Sequence, residues 1–148
     1  MADENAPVMA FREKLAWAMS IVLTLAGGFY AWEVVGHGLA LNAVPPPSIK
    51  LAVVYVGFVI IGSIIGATSV ALQNTEEANA PADEREKIII DKAGHWSGYV
   101  LAFGAVAGAL HYWSNQDGHM MFHWVVGGLM LSQISEYVFQ IILFRRGV

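Results

Sequence analysis

Residues 51–72 run for 22 positions without one charged side chain. A bilayer core of about 30 Å is crossed by about 20 apolar residues in a helix, so this run alone is long enough to span. The rest of the composition points the same way: the 148-residue chain is 56% hydrophobic and 14% charged, against about 25% charged in an average soluble domain. A soluble chain this short cannot hide so much apolar surface.

Three further stretches reach spanning length, at about 15–35, 93–113 and 120–144. Between the first two, Pro45, Pro46 and Pro47 lack the amide hydrogens a helix needs and force a short, stiff turn. The last two are joined by the polar tip 114–118 and read as a tight helical hairpin. Segment 73–92, rich in Glu, Asp and Asn, is the one sizeable hydrophilic loop, and its second half, 85–92, is expected to belong already to the third helix. The expected fold is all-α: an integral membrane four-helix bundle forming a single membrane domain over 1–148. The first ten residues contain Asp3, Glu4 and Pro7 and lack the basic start and apolar core of a secretory signal, so the first span is expected to stay in the mature protein.

Positive charge is poorly translocated, so the eight Lys and Arg report the orientation. With both termini cytoplasmic, Arg12, Lys14, Arg85, Lys87, Lys92, Arg145 and Arg146 share the inner side and only Lys50 lies outside. Trp17, Trp32, Trp96, Trp113 and Trp124 fall near span ends, where amphipathic rings settle at the interface. An all-helical pattern suits the cell inner membrane better than an outer membrane, and the expected localisation is multi-pass in that membrane. The net charge of −4, with no basic run, excludes the phosphate-neutralising surface of a nucleic-acid binder. No Cys is present, which removes disulfides and thiol chemistry. No nucleotide loop, nucleophile elbow or paired-carboxylate hydrolase pattern occurs. No catalytic residue is assigned, and enzymatic activity is left open.

Ionisable groups within spans are costly unless paired or wet, which makes each a candidate site. Glu33 and His37 are four residues apart on one helix face, as are His119 and His123. With His111 on the neighbouring helix, they gather toward the outer end of three spans. Imidazole and carboxylate are the donors a haem iron or a transition metal takes. One reading is a set of interfacial side chains that bond head groups or water; the alternative is a shared centre of His37, His111 and His123, with Glu33 and His119 as further metal ligands. Ser132, Glu136 and Gln140 repeat every four residues along the fourth span, with Gln133 beside them, and give that helix one polar face. His95, at a similar depth on the third span, is placed to pair with Glu136, either to lock two helices or to relay a proton.

Gly62 and Gly66, and Gly104 and Gly108, each clear one helix face for close approach, within one chain or between chains of a homo- or hetero-oligomer. Before the third span stand Asp83, Glu84, Arg85 and Glu86, then Ile88, then Lys92 and Ala93. This string, with the four-span layout, resembles small predicted membrane proteins of the family of unknown function 2178, in which a similar string opens the later helices. The resemblance rests on about a dozen residues, and it implies a membrane fold and no particular activity. Physically, the carboxylates of Asp83, Glu84 and Glu86 suit the positive end of a helix dipole. The leading expectation is a small accessory or regulatory membrane subunit that works by association in the lipid bilayer. The alternative is a haem- or metal-binding redox protein built on the outer His cluster.

Overall fold

A computed structural model of the chain describes residues 10–73 and 75–147, so the reading of the first residues as lacking a signal falls almost wholly outside them. The described residues form five helices: α1 (Phe11–Leu41), α2 (Ile49–Ala71), α3 (Thr75–Asn79), α4 (Glu84–Asn115) and α5 (Gly118–Arg146). Among the described residues there is no strand, so the chain is all-helical.

Local chemistry sets the helix ends. The Asp83 side chain accepts from the Glu86 amide at 2.7 Å while the Glu86 carboxylate accepts from the Asp83 amide at 3.0 Å. This reciprocal box satisfies two otherwise unpaired donors and starts α4. Ser48 and Asp117 cap α2 and α5 in the same manner, accepting from the Leu51 and Met120 amides. Asn42 ends α1 with a left-handed backbone (φ 50°), a conformation Asn tolerates better than most residues. The chain then passes through the prolyl turn with no helix until Ile49.

Three helices, α1, α2 and α5, are long and apolar enough to cross a membrane. The fourth expected span, α4, falls short of that measure among the described residues. Its 32 residues exceed the length required, but His95, Trp96, Ser97, Gly98 and Tyr99 near one end and His111, Tyr112 and Trp113 near the other dilute its apolar character.

Substantial helix contacts join α1 with α2, α1 with α5, and α4 with α5. Successive helices run antiparallel, and the spatial order is α2, α1, α5, α4. This is an open row and not the closed ring that a four-helix bundle suggests. The seams are built from small residues. α1 buries Ala16, Ser20, Leu23, Ala26 and Tyr30, at the three- and four-residue steps that keep side chains on one face. α4 buries Ile89, Ala93, Ser97, Gly104 and Gly108 against α5. A Cβ added at Gly104 would lie 2.6 Å from the Gly128 Cα, and one at Gly62 would lie 2.7 Å from a Val22 methyl. Gly66 faces Ala18, and Gly108 faces Met121 and Trp124. All four glycines expected to mark seams are therefore engaged within the chain, and association with another chain has to use other faces.

The end opposite the prolyl turn is tied by charge. Arg12 reaches Glu86 at 2.9 Å and Arg145 reaches Glu13 at 3.2 Å, joining α1 to both later helices. Arg85 donates to the Phe144 carbonyl. Beneath them Ile89, Ala93 and Leu143 form a closed cluster with Trp96, Phe139 and Phe144 around it. Lys92 lies over the Trp96 ring and Arg145 over Trp17, each at 5.4 Å.

The exposed surface is as apolar as the seams are small. None of the most apolar 18-residue stretch of α2 is buried, and Val53, Ile60, Ile61, Ile64 and Ile65 all stand open. On α4, Tyr99, Phe103, Val106, Leu110 and Trp113 are exposed at alternating steps of four and three, a second apolar stripe facing away from α5.

Candidate functional site: a cleft at the prolyl turn

A cleft of about 480 Å³ opens where α1, α2 and α5 meet the prolyl turn. Its walls are apolar, with Phe29, Tyr30 and Val34 from α1 and Leu51 and Val54 from α2. Its polar lining comes from Glu33 and His37 of α1, Ser48 and Lys50 at the start of α2, and His123 of α5. Few polar groups on a mostly apolar wall is the usual make-up of a small-ligand site.

His123 is the keystone of this end. Its Nε2 lies 2.9 Å from the Pro45 carbonyl; a carbonyl only accepts, so Nε2 carries the proton and donates. Its Nδ1 then accepts from the Tyr30 hydroxyl at 3.5 Å. Tyr30 also meets the Tyr55 ring edge-on at 5.9 Å. One imidazole thus pins α5 to α1 and to the turn, and the Tyr30 pair carries the contact on to α2. Both of its nitrogens are engaged.

His37 donates from Nδ1 to the backbone carbonyl of Glu33 at 2.7 Å. The Glu33 carboxylate is 3.8 Å from the same nitrogen, beyond hydrogen-bonding distance. In the neutral ring, Nε2 is left as an acceptor. Among the described residues Lys50 forms no ion pair, although it lines the same cleft as Glu33.

The expected centre of His37, His111 and His123 does not form. Among the described residues no three His, Asp or Glu side chains come together to hold a metal ion. The reason is the helix order: α5 stands between α1 and α4, so His111 is on the far side of a helix from His37. His111 instead lies 3.4 Å from the Asn115 amide nitrogen on its own helix. His119 is exposed in the first turn of α5. Of the five residues expected to act as ligands, Glu33, His37 and His123 share the cleft and His111 and His119 do not.

The second polar group is also rearranged. His95 lies 3.0 Å from the Tyr99 hydroxyl on its own helix and is exposed, so the pairing with Glu136 is absent. Ser132 donates to the Ser97 carbonyl across the α4–α5 seam at 2.9 Å, and Gln140 is buried. Gln133 sits on a different face, in an apolar groove with Tyr55 and Phe122. Gln133 therefore does not join the face that carries Ser132, Glu136 and Gln140. Sequence reasoning missed Lys50, Ser48 and Tyr30 as members of the cleft; the signal for the first two was their place directly after three prolines, which folds the start of α2 back over α1.

No family model, curated protein or solved structure matches this chain. The resemblance carried by Asp83 to Ala93 stands on those residues alone.

Proposed function

We propose that this chain is a multi-pass protein of the cell inner membrane with four crossings and both termini in the cytoplasm, and that it serves as a small accessory or regulatory subunit through association within the bilayer. The observation that carries the reading is α2, a 23-residue helix that is apolar on every side and touches the rest of the chain along one face only. Such a surface has a low free energy in lipid and a high one in water. The exposed stripe on α4 supports the fourth crossing, since a helix that opens with charges at Glu84 to Lys92 and then presents Phe103, Val106 and Leu110 outward fits an interface followed by a hydrocarbon core. Seven basic residues at one end and Lys50 at the other support the orientation. The open row supports work by association, since its edge helices α2 and α4 each leave a long apolar face for lipid or for another membrane helix.

The chain has no Cys, so single replacements give a clean test. Asn79→Cys and Asn115→Cys are expected to react with a membrane-impermeant thiol reagent from opposite sides of sealed vesicles. Reaction from the same side refutes the four-crossing arrangement. Ile61→Cys, on the outer face of α2, is expected to cross-link in the membrane to one species of defined mass. Absence of cross-linking there and at Phe103→Cys on α4 refutes association through the edges.

A further inference from the structure

We infer that the cleft at the prolyl turn is a binding site for the headgroup of phosphatidylethanolamine, a lipid that carries a primary ammonium and a phosphate. The inference rests on the membrane reading above, and it adds a ligand to it. Three observations carry it. First, the cleft's acceptors come from α1: the Glu33 carboxylate and, in the neutral ring whose Nδ1 donates to the Glu33 carbonyl, the Nε2 lone pair of His37, both residues lining the same space. These are partners for an N–H donor, and a quaternary ammonium offers none. Second, the cleft's donors come from the opposite helix. Lys50 brings an ammonium without an ion-pair partner among the described residues, and Ser48, whose oxygen already accepts from the Leu51 amide, keeps its hydroxyl proton to give. An anionic phosphate oxygen satisfies both. Third, Phe29, Leu51 and Val54 line the same space, which provides an apolar wall for the upper part of an acyl chain. Trp32 and Trp113, each 78% exposed, lie toward the same end of the molecule, where an aromatic belt meets head groups.

A ligand with only a negative charge would satisfy Lys50 and face Glu33 with like charge. One with only a positive charge would do the reverse. The zwitterion matches both sides of the cleft, and its primary amine matches the acceptor geometry. His123 takes no part, since both of its nitrogens are already engaged.

The test is native mass spectrometry of the full chain released from nanodiscs that contain equal parts of phosphatidylethanolamine, phosphatidylcholine and phosphatidylglycerol with identical acyl chains. Phosphatidylethanolamine is expected to be retained at least about fivefold over either of the others. Glu33→Gln and Lys50→Gln are each expected to bring that preference down to about parity, the loss of one charge-assisted hydrogen bond. Val54→Trp, which fills the apolar wall and leaves every polar group in place, is expected to lower it as well and guards against a charge variant that fails to fold. Soluble glycerophosphoethanolamine is expected not to displace the lipid. Equal retention of the choline lipid overturns the recognition of the primary amine, and preference for phosphatidylglycerol overturns the zwitterionic match. Displacement by the soluble headgroup overturns the assignment to a lipid. The labelling at Asn79 and Asn115 reports separately on the membrane reading, so loss of lipid preference with correct labelling refutes this inference alone.

Discussion

Replacing Gly104 by Ala puts one methyl group where there is no room for it. The added carbon would stand 2.6 Å from the Gly128 Cα and 3.3 Å from the Trp124 carbonyl oxygen, while two carbons rest at about 3.5–4.0 Å. The helices must part by about 1 Å to accept it, and because the obstacle is backbone, no rotamer change can relieve it. Overpacking of this kind costs about 1–3 kcal/mol, and the helix propensity gained by replacing Gly, at most about 1 kcal/mol, offsets part of it. The expected net loss is about 1–2 kcal/mol. Gly98 is on the same helix and nothing lies within 4 Å of its added Cβ, so Gly98→Ala is expected to be neutral or slightly stabilising. Gly62→Ala falls between them, since its obstacle is a Val22 methyl that can shift at some cost. Unfolding by SDS titration of the protein in detergent, followed by circular dichroism, gives the three values. Equal stability of the Gly104 and Gly98 variants would refute the close α4–α5 seam.

Other substitutions test the ends of the helices. His123→Ala removes the hydrogen bonds to Tyr30 and Pro45 and is expected to lower stability by about 1–3 kcal/mol, whereas His119→Ala, in an exposed position, is expected to leave the same melt unchanged. Asp83→Ala breaks the box that starts α4 and is expected to cost about 1 kcal/mol, with Asp83→Asn recovering most of it in a denaturant titration. Arg12→Ala is expected to destabilise more than Lys87→Ala, because the Arg12–Glu86 pair is the less exposed (side chains 26% and 19%) and the Lys87–Glu84 pair the more exposed (54% and 87%); the second change is expected within about 0.5 kcal/mol.

The helices were legible because their signals are local. The prolines between the first two spans, the acidic string before the third and the polar tip before the fourth each mark a helix boundary within a few residues of where it falls. The extension of the third helix back to Glu84 was readable from the capping chemistry of Asp83 and Glu86. The short helix α3, inside the segment expected to be a loop, was not, since five residues give no periodicity. The lateral order of the helices was hidden for a physical reason. A helix that is apolar all round has no stripe to declare which side packs, and the order decides everything about the His residues. His123 was recognised, but its partner is a prolyl carbonyl, a backbone group that no side-chain pattern advertises. Glu33 and His37 were placed together correctly by spacing alone. Lys50 entered the charge tally as the one basic residue apart from the other seven, and it is that same isolation that leaves it without an ion pair among the described residues.

The row order also separates two kinds of joining along the chain. α1 with α2, and α4 with α5, are neighbours through short connections and can pair as soon as each hairpin is made. The join between them is made by the first long helix and the last, and one of its ties, Glu13 with Arg145, spans 132 positions. During synthesis the small-residue face of α1 is therefore left uncovered until α5 has been completed. The fold is two hairpins that meet edge to edge through α1 and α5, and the hydrophilic segment around α3 links them and adds the bond from Arg12 to the Ala80 carbonyl. Severing the chain in that segment leaves both hairpins and the contacts between α1 and α5 whole, so the two pieces made separately are expected to reassemble.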